Sequence, residues 1–263
     1  MSTSRHGAGV GAVLMIVLAV MALAVLGGRS AASSAPRVTP GSSAPRAVQG
    51  SSAPRATQST APFLDSAASH PPGTALALLA TLPVKGRAPL TGYDRVRDFG
   101  PAWSDVDRNG CDTRNDVLRR DLTGITGTGC RVLTGTLHDP YTGAVIRFRR
   151  GQSTSTAVQI DHVVALGEAW QTGAQQLTAV QRRALANDPV NLFAVDGPTN
   201  ESKGDGDAAT WLPPNKAFRC TYVAHQVAVK AAYHLWVTRA ERTAIERVLS
   251  SCPDKKAPRD SAG

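Results

Sequence analysis

VQIDHVVALGEAW, residues 158–170, sets a carboxylate and an imidazole side by side at the end of an apolar run. Val158 and Ile160 alternate as the inward positions of a strand, so Asp161 and His162 fall where that strand stops. If the strand persists, the two polar side chains leave it on opposite faces. A lone Asp-His pair is commonly no more than a polar strand end facing water, so the rest of the chain decides. VNLFAV (190–195) alternates as a second short strand and carries Asn191. A Gly-Pro turn follows, and TNESKGDGDAATWLPP then brings Asn200 and Lys203. The order is strand with Asp-His, strand with Asn, turn, then helix with Asn and Lys.

The flanking sequence has the same mixed character. TALALLATL (74–82) reads as a short helix stopped by Pro83. RVLTGTLHDPYTGAVIRFRR reads as a β-hairpin, with strands at 132–138 and 144–149 and DPYTG as the turn. Ile146 and Phe148 then face inward, while Arg147 and Arg149 share the outer face, either solvated or contacting phosphate. Thr178 with Gln181 and Thr238 with Glu241 fit the capping-box spacing. A helix from about 217 to 237 carries Tyr222, Val223, Val227, Ala231 and Leu235 at three- and four-residue steps. The last helix buries Ile245, Val248, Leu249 and Cys252 before Pro253. The fold class expected is α+β.

Composition divides the 263 residues. VGAVLMIVLAVMALAVL (10–26) behind Arg5 and His6 has the form of a secretory signal, with small residues after it, so 1–32 reads as a signal peptide. An uncleaved membrane anchor is the competing reading, and only that one involves a membrane. Either way the remainder lies outside the cytoplasm, secreted or held on the outer face of the membrane. SSAPRVTPG, SSAPRAVQG and SSAPRATQS (33–59) form a tandem repeat with nothing to bury, so 33–62 reads as a disordered linker. The folded domain is expected over 63–252 and an unstructured tail over 253–263. The net charge of +9 is mostly a property of the ends. Residues 1–62 hold five Arg and no acid, and 253–263 three bases and two acids, leaving +3 for 63–252. Such charge supports loose attraction to polyanions and by itself proves no nucleic-acid site.

All four cysteines, Cys111, Cys130, Cys220 and Cys252, lie in the folded region. An even number in an exported chain favours disulfides, and the absence of a CxxC pair argues against structural zinc. Of the three possible pairings, nearest neighbours are expected: Cys111–Cys130 and Cys220–Cys252.

The strand–strand–helix order with Asp-His, Asn and Asn resembles the His-Asn-His (HNH) endonucleases. In order along residues 92–252, the motifs GYDRVRDFG, NGCDTRNDVLRRDL, GTLHDPYTG, IDHVVALGEAW, NESKGDGDAATWLPP and RCTYV resemble the secreted actinobacterial HNH-family proteins. That resemblance implies a ββα-metal core, here embellished with extra helices and a β-hairpin and stapled by disulfides. It implies Asp161 and Asn200 as ligands of one divalent ion and Asn191 as the residue orienting the His162 ring. It also places the segment around Arg114 close to the nuclease core, making Arg114 a candidate phosphate contact.

Chemistry gives the same roles a reason. Phosphodiester hydrolysis needs an activated water, a cation on the phosphate and help for the leaving oxygen. His162 suits a general base because imidazole titrates near working pH. Two oxygen ligands suit a hard ion, Mg²⁺ before Mn²⁺. Lys203, one turn after Asn200, is within reach of a phosphate. The expectation is a monomeric, exported endonuclease acting on DNA, with RNA as the alternative substrate and no small-molecule cofactor. Two rivals remain: a non-catalytic polyanion-binding protein of the cell surface, and a wall hydrolase, for which no nucleophile elbow or zinc-protease motif speaks. DVDRNGCDTRND (105–116) fits part of a calcium-loop template but ends in Asp rather than Glu, and an irregular disulfide-pinned turn is the favoured reading.

Overall fold

The computed structural model describes residues 70–258. The apolar run at 10–26, the repeat at 33–59 and residues 259–263 lie outside them. Eight α-helices and two small antiparallel sheets make up the described span, a mixed α+β fold. Among the described residues no helix is long and apolar enough to cross a membrane.

Each early helix opens on a side-chain cap. Thr74 caps α1 (Ala75–Thr81), Asp94 caps α2 (Arg95–Phe99) and Asp112 caps α3 (Thr113–Asp121), each accepting a backbone N–H three residues on. A three-stranded sheet follows, β1 (Leu122–Thr128), β2 (Arg131–His138) and β3 (Val145–Arg149), in that order. The β2–β3 hairpin is the one legible in the sequence, its turn held by Asp139, which accepts from the Thr142 amide at 2.8 Å. β1 has no apolar alternation; apart from Leu122 it is exposed and joins β2 through its backbone.

The second sheet is the pair β4 (Val158–His162) and β5 (Leu192–Asp196). Between them come α4 (Leu166–Gln171) and α5 (Ala179–Asn187); after them come α6 (Gly197–Lys203), α7 (Arg219–Ala232) and α8 (Arg239–Leu249). Both expected capping boxes form, at the starts of α5 and α8. One face of the β4–β5 pair, with Val158, Ile160, Leu192 and Ala194, packs on α3 and the three-stranded sheet. A larger cluster gathers α1 and α7, with Tyr222, Val223 and Val227 at its centre.

Two boundaries differ from expectation. α7 stops at Ala232 rather than 237, because His234 adopts a left-handed φ of 53°. Leu235 N then donates to Lys230 O at 2.8 Å and His234 N to Ala231 O at 3.3 Å, the crossed pair of bonds that closes a helix, usually with Gly in the turn. Residues 253–258, expected as tail, run back along the start of α1: Ala75 N donates to Lys255 O at 2.8 Å, and Thr74 pairs with Lys256.

Both nearest-neighbour disulfides are present, Cys111–Cys130 and Cys220–Cys252, closing loops with sequence separations of 19 and 32. Reduction is expected to lower stability by about 2–4 kcal/mol per bond. Urea unfolding with and without reductant measures this; coincident curves contradict it.

Candidate active site

The β4–β5 pair delivers the Asp-His dipeptide. Asp161 stands opposite Phe193 and His162 opposite Leu192. α6 follows β5 at once, because Asp196 turns the chain by accepting from the Thr199 amide at 2.9 Å and Pro198 sets the first turn. Gly197 lets the helix start lie against the 155–157 turn; a Cβ there would collide with the Thr156 carbonyl oxygen. The result is an antiparallel strand pair with a short helix across it.

Strand alternation separates the two polar groups. Asp161 points to α6 and the β2–β3 turn: Oδ1 accepts from Lys203 Nζ at 2.8 Å and Oδ2 from the Tyr141 hydroxyl. Burial raises the Asp161 carboxyl above its ordinary range, with Lys203 and Tyr141 pulling the other way. His162 points to the other side. Its Nε2 lies 2.8 Å from the Ala186 carbonyl oxygen, and Trp103 lies nearly parallel to its ring, at 11° and 6.1 Å between centroids. A carbonyl only accepts, so Nε2 carries the hydrogen and Nδ1 is left as the acceptor of the neutral ring.

Asp161 and His162 line one cleft of about 230 Å³, together with Asn200, Asp205, Tyr93 and Arg95. Asn200 reaches it from α6, its Nδ2 donating to Gln159 Oε1 at 2.8 Å. Tyr93 has its hydroxyl pushed up to about 12, first by burial and then by Asp205. Arg95 is exposed and also lines a small cavity on the other side of His162, with Trp103 and Asn187.

Several expected roles need correction. Lys203 does not face a phosphate: its side chain is fully buried, and Nζ is held by Asp161 and by the His162 carbonyl oxygen at 2.7 Å. The lysine stem is long enough to reach under β4 because α6 lies across that strand. Asn191 is fully buried but does not touch the imidazole. Its Oδ1 accepts from Val164 N at 2.9 Å and its Nδ2 donates to Leu185 O at 3.2 Å, so it joins the chain after His162 to the chain before Ala186. Arg114 is half-buried and donates to Val158 O at 3.1 Å, bracing the start of β4 away from the cleft. Arg147 and Arg149 are exposed on β3 and do not line the cleft.

Tyr93, Arg95, Asp205, Trp103 and Tyr141 were not singled out in the sequence. Tyr93 and Arg95 sit in GYDRVRDFG and Asp205 in NESKGDGD, so the motifs contained them, but nothing local told them from surface polar residues. In the 105–116 loop the Asp105 and Asp107 carboxylates accept from the Asn109 amide at 3.2 Å each, a turn closed on itself. Among the described residues no three His, Cys, Asp or Glu side chains converge to hold an ion.

Burial, followed by the charges of Arg95 and Lys203, pulls the His162 imidazole down to about 3. In the unfolded chain it titrates near ~6.5. Between those values the unfolded state binds the extra proton, so stability falls as pH drops through the window. A His162→Gln variant is expected to show a shallower acid slope. Urea midpoints of the two proteins at neutral and mildly acidic pH measure it; equal slopes contradict it.

Comparison with known proteins gives this geometry a setting. Residues 112–248 match the family described as GmrSD restriction endonucleases, C-terminal domain. The chain belongs to that family. The matched span runs from α3 to α8 and includes Asp161, His162, Asn191, Asn200 and Asp205. A protein of Arthroderma benhamiae described as an uncharacterized secreted protein is 38% identical over 196 residues, covering 73% of this chain and 89% of that protein. No solved structure matches. Membership makes the chain nuclease-like, with nucleic acid as the corresponding substrate.

Proposed function

We propose that the protein is an exported, metal-dependent endonuclease of the HNH type that hydrolyses phosphodiester bonds in DNA. The observation that carries the reading is His162, neutral, with Nε2 tied to a carbonyl and Nδ1 left to accept a proton beside a cleft shared with Asn200, Asp205 and Arg95. In this reading the negative charge of a bound phosphate draws the His162 imidazole back up from the low range it holds in the free protein. Its Nδ1 then takes the proton of the attacking water, and the exposed Arg95 guanidinium steadies the phosphate. Asn191 and the Ala186 carbonyl keep the imidazole in register. Export is supported by the two disulfides and by the secreted relative.

The donor set fits a hard cation. Asp161, Asn200 and Asp205 offer oxygen, and Asp161, whose two oxygens already accept from Lys203 and Tyr141, would reach an ion only through its remaining lone pairs. A site with few protein ligands suits Mg²⁺, which keeps several waters and takes phosphate oxygens from substrate. Such an ion, when bound, supplies positive charge to the phosphate and the leaving oxygen.

Asn200→Ala separates ligand from base. It is expected to lower cleavage at limiting Mg²⁺ and to recover part of the rate when Mg²⁺ or Mn²⁺ is raised. Metal titrations of plasmid cleavage by both proteins test it; a deficit unmoved by added metal removes Asn200 from the ion site.

A further inference from the structure

Beyond the His162 cleft, the described residues line a larger, open-sided cavity of about 770 Å³ between α3, the end of α5 and the end of α7. That volume lies within the roughly 300–1,000 Å³ of small-molecule sites. α3 turns Thr113, Asp116, Val117 and Arg120 toward it, the one-face spacing of a helix. Val106 and Pro189 add apolar wall. Asn187 joins the two regions, because it lines this cavity and also the small one beside His162. The preceding carbonyl, of Ala186, is the one that fixes the His162 tautomer.

Asn187 is the unusual group. Its side chain is 2% exposed. Nδ2 is tied back to Arg183 O at 2.8 Å, while Oδ1 is buried and accepts no hydrogen bond from any described residue. A buried acceptor left unpaired is costly, and this marks Oδ1 as the atom for which an incoming donor would be most favourable. The charge of the cavity narrows what that donor is. Asp107 and Asp116 line it, and the guanidinium of Arg120 is committed to Asp121 and to the carbonyl oxygens of Pro189 and Leu192, at 2.8 and 2.6 Å. A phosphate is repelled there. A flat ring with amino hydrogens is not: it places its faces on Val106, Val117 and Pro189 and its donor toward Asn187.

We propose that this cavity is a base-binding subsite, which takes a nucleobase adjoining the scissile phosphate and selects those carrying an exocyclic amino group through Asn187 Oδ1. The inference rests on the nuclease reading and adds base preference to it. Adenine and cytosine have the amino donor, and thymine lacks it.

The test compares single-stranded homopolymers of deoxyadenylate, deoxycytidylate and thymidylate as substrates with Mg²⁺. kcat/KM is expected to be about tenfold higher for the two amino-bearing polymers, the range of one well-placed base contact. Asn187→Asp keeps the acceptor and the preference; Asn187→Val removes both. Should Asn187→Val fail to fold, Val106→Arg fills the mouth of the cavity from an exposed position, and is expected to level the three rates while leaving thymidylate cleavage unchanged. Equal wild-type rates, or a preference that survives Val106→Arg, overturn the subsite and spare the nuclease reading. Failure to cut any nucleic acid overturns the nuclease reading, and the subsite falls with it.

Discussion

Replacing His162 by alanine is expected to lower the rate of DNA cleavage by about 10²–10⁴-fold, the usual worth of positioned proton transfer. The imidazole is the group near the cleft whose tautomer is fixed by a neighbour, through Nε2 on the Ala186 carbonyl. Of the other titratable groups lining the cleft, Asp161 is engaged by Lys203 and Tyr141, the Tyr93 hydroxyl is pushed up to about 12, and Asp205 is assigned to the ion. DNA affinity is expected to persist, because Arg95 and the oxygen donors for the ion remain. Added metal is expected not to restore the variant, in contrast to Asn200→Ala. Single-turnover cleavage with circular dichroism as a folding control measures this. A folded His162→Ala protein that cuts at the wild-type rate would show that the Asp-His motif was misread.

The second large effect concerns stability. Lys230→Met is expected to destabilise the fold by about 3–5 kcal/mol, a large part of the roughly 5–15 kcal/mol that holds a domain together. Lys230 is fully buried on α7, and its Nζ binds Glu168 Oε1 at 2.6 Å, Glu241 Oε1 at 2.8 Å and the Trp236 carbonyl at 3.1 Å. Both glutamates are themselves buried, at 2% and 0% exposure. Glu241 also completes the α8 capping box, and burial pushes its carboxyl up to about 7. Without the ammonium two acids share a dry site, and Glu241, whose carboxyl burial already raises, must take a proton to stay there. The sign follows: a raised folded pKa gives stability that is present at low pH and lost as pH rises toward neutrality. The variant is therefore expected to be weakest at and above neutral pH and to recover partly on acidification. Urea unfolding across that range decides it; a loss under about 1 kcal/mol at neutral pH contradicts a working triad.

How much of this was legible in the sequence depends on the range of the interaction. Val158 and Ile160, Leu192 and Ala194 announce the two strands through alternation, and Thr178 and Thr238 announce α5 and α8 through caps made within four residues. Such signals are local, and so are readable. β1 was missed because LTGITGT pairs through its backbone, which leaves no side-chain pattern. The end of α7 was missed because His234 takes a turn that glycine usually marks. In the site, Asp161, His162 and Asn200 line one cleft as their spacing suggested. Lys203 reads as a phosphate contact and Lys230 was not singled out, since their carboxylate partners Asp161 and Glu168 stand 42 and 62 residues away. Glu168, at the start of α4 a few residues after the Asp-His pair, belongs to that buried triad.

In the proposed mechanism this fold cuts phosphodiester bonds with one divalent ion and His162. The most direct measurement is the conversion of supercoiled plasmid by the purified, disulfide-intact protein in Mg²⁺, with and without EDTA. Nicked and then linear product is expected in Mg²⁺ and none in EDTA. Intact plasmid with every divalent ion tried, or cleavage undiminished by EDTA, contradicts it.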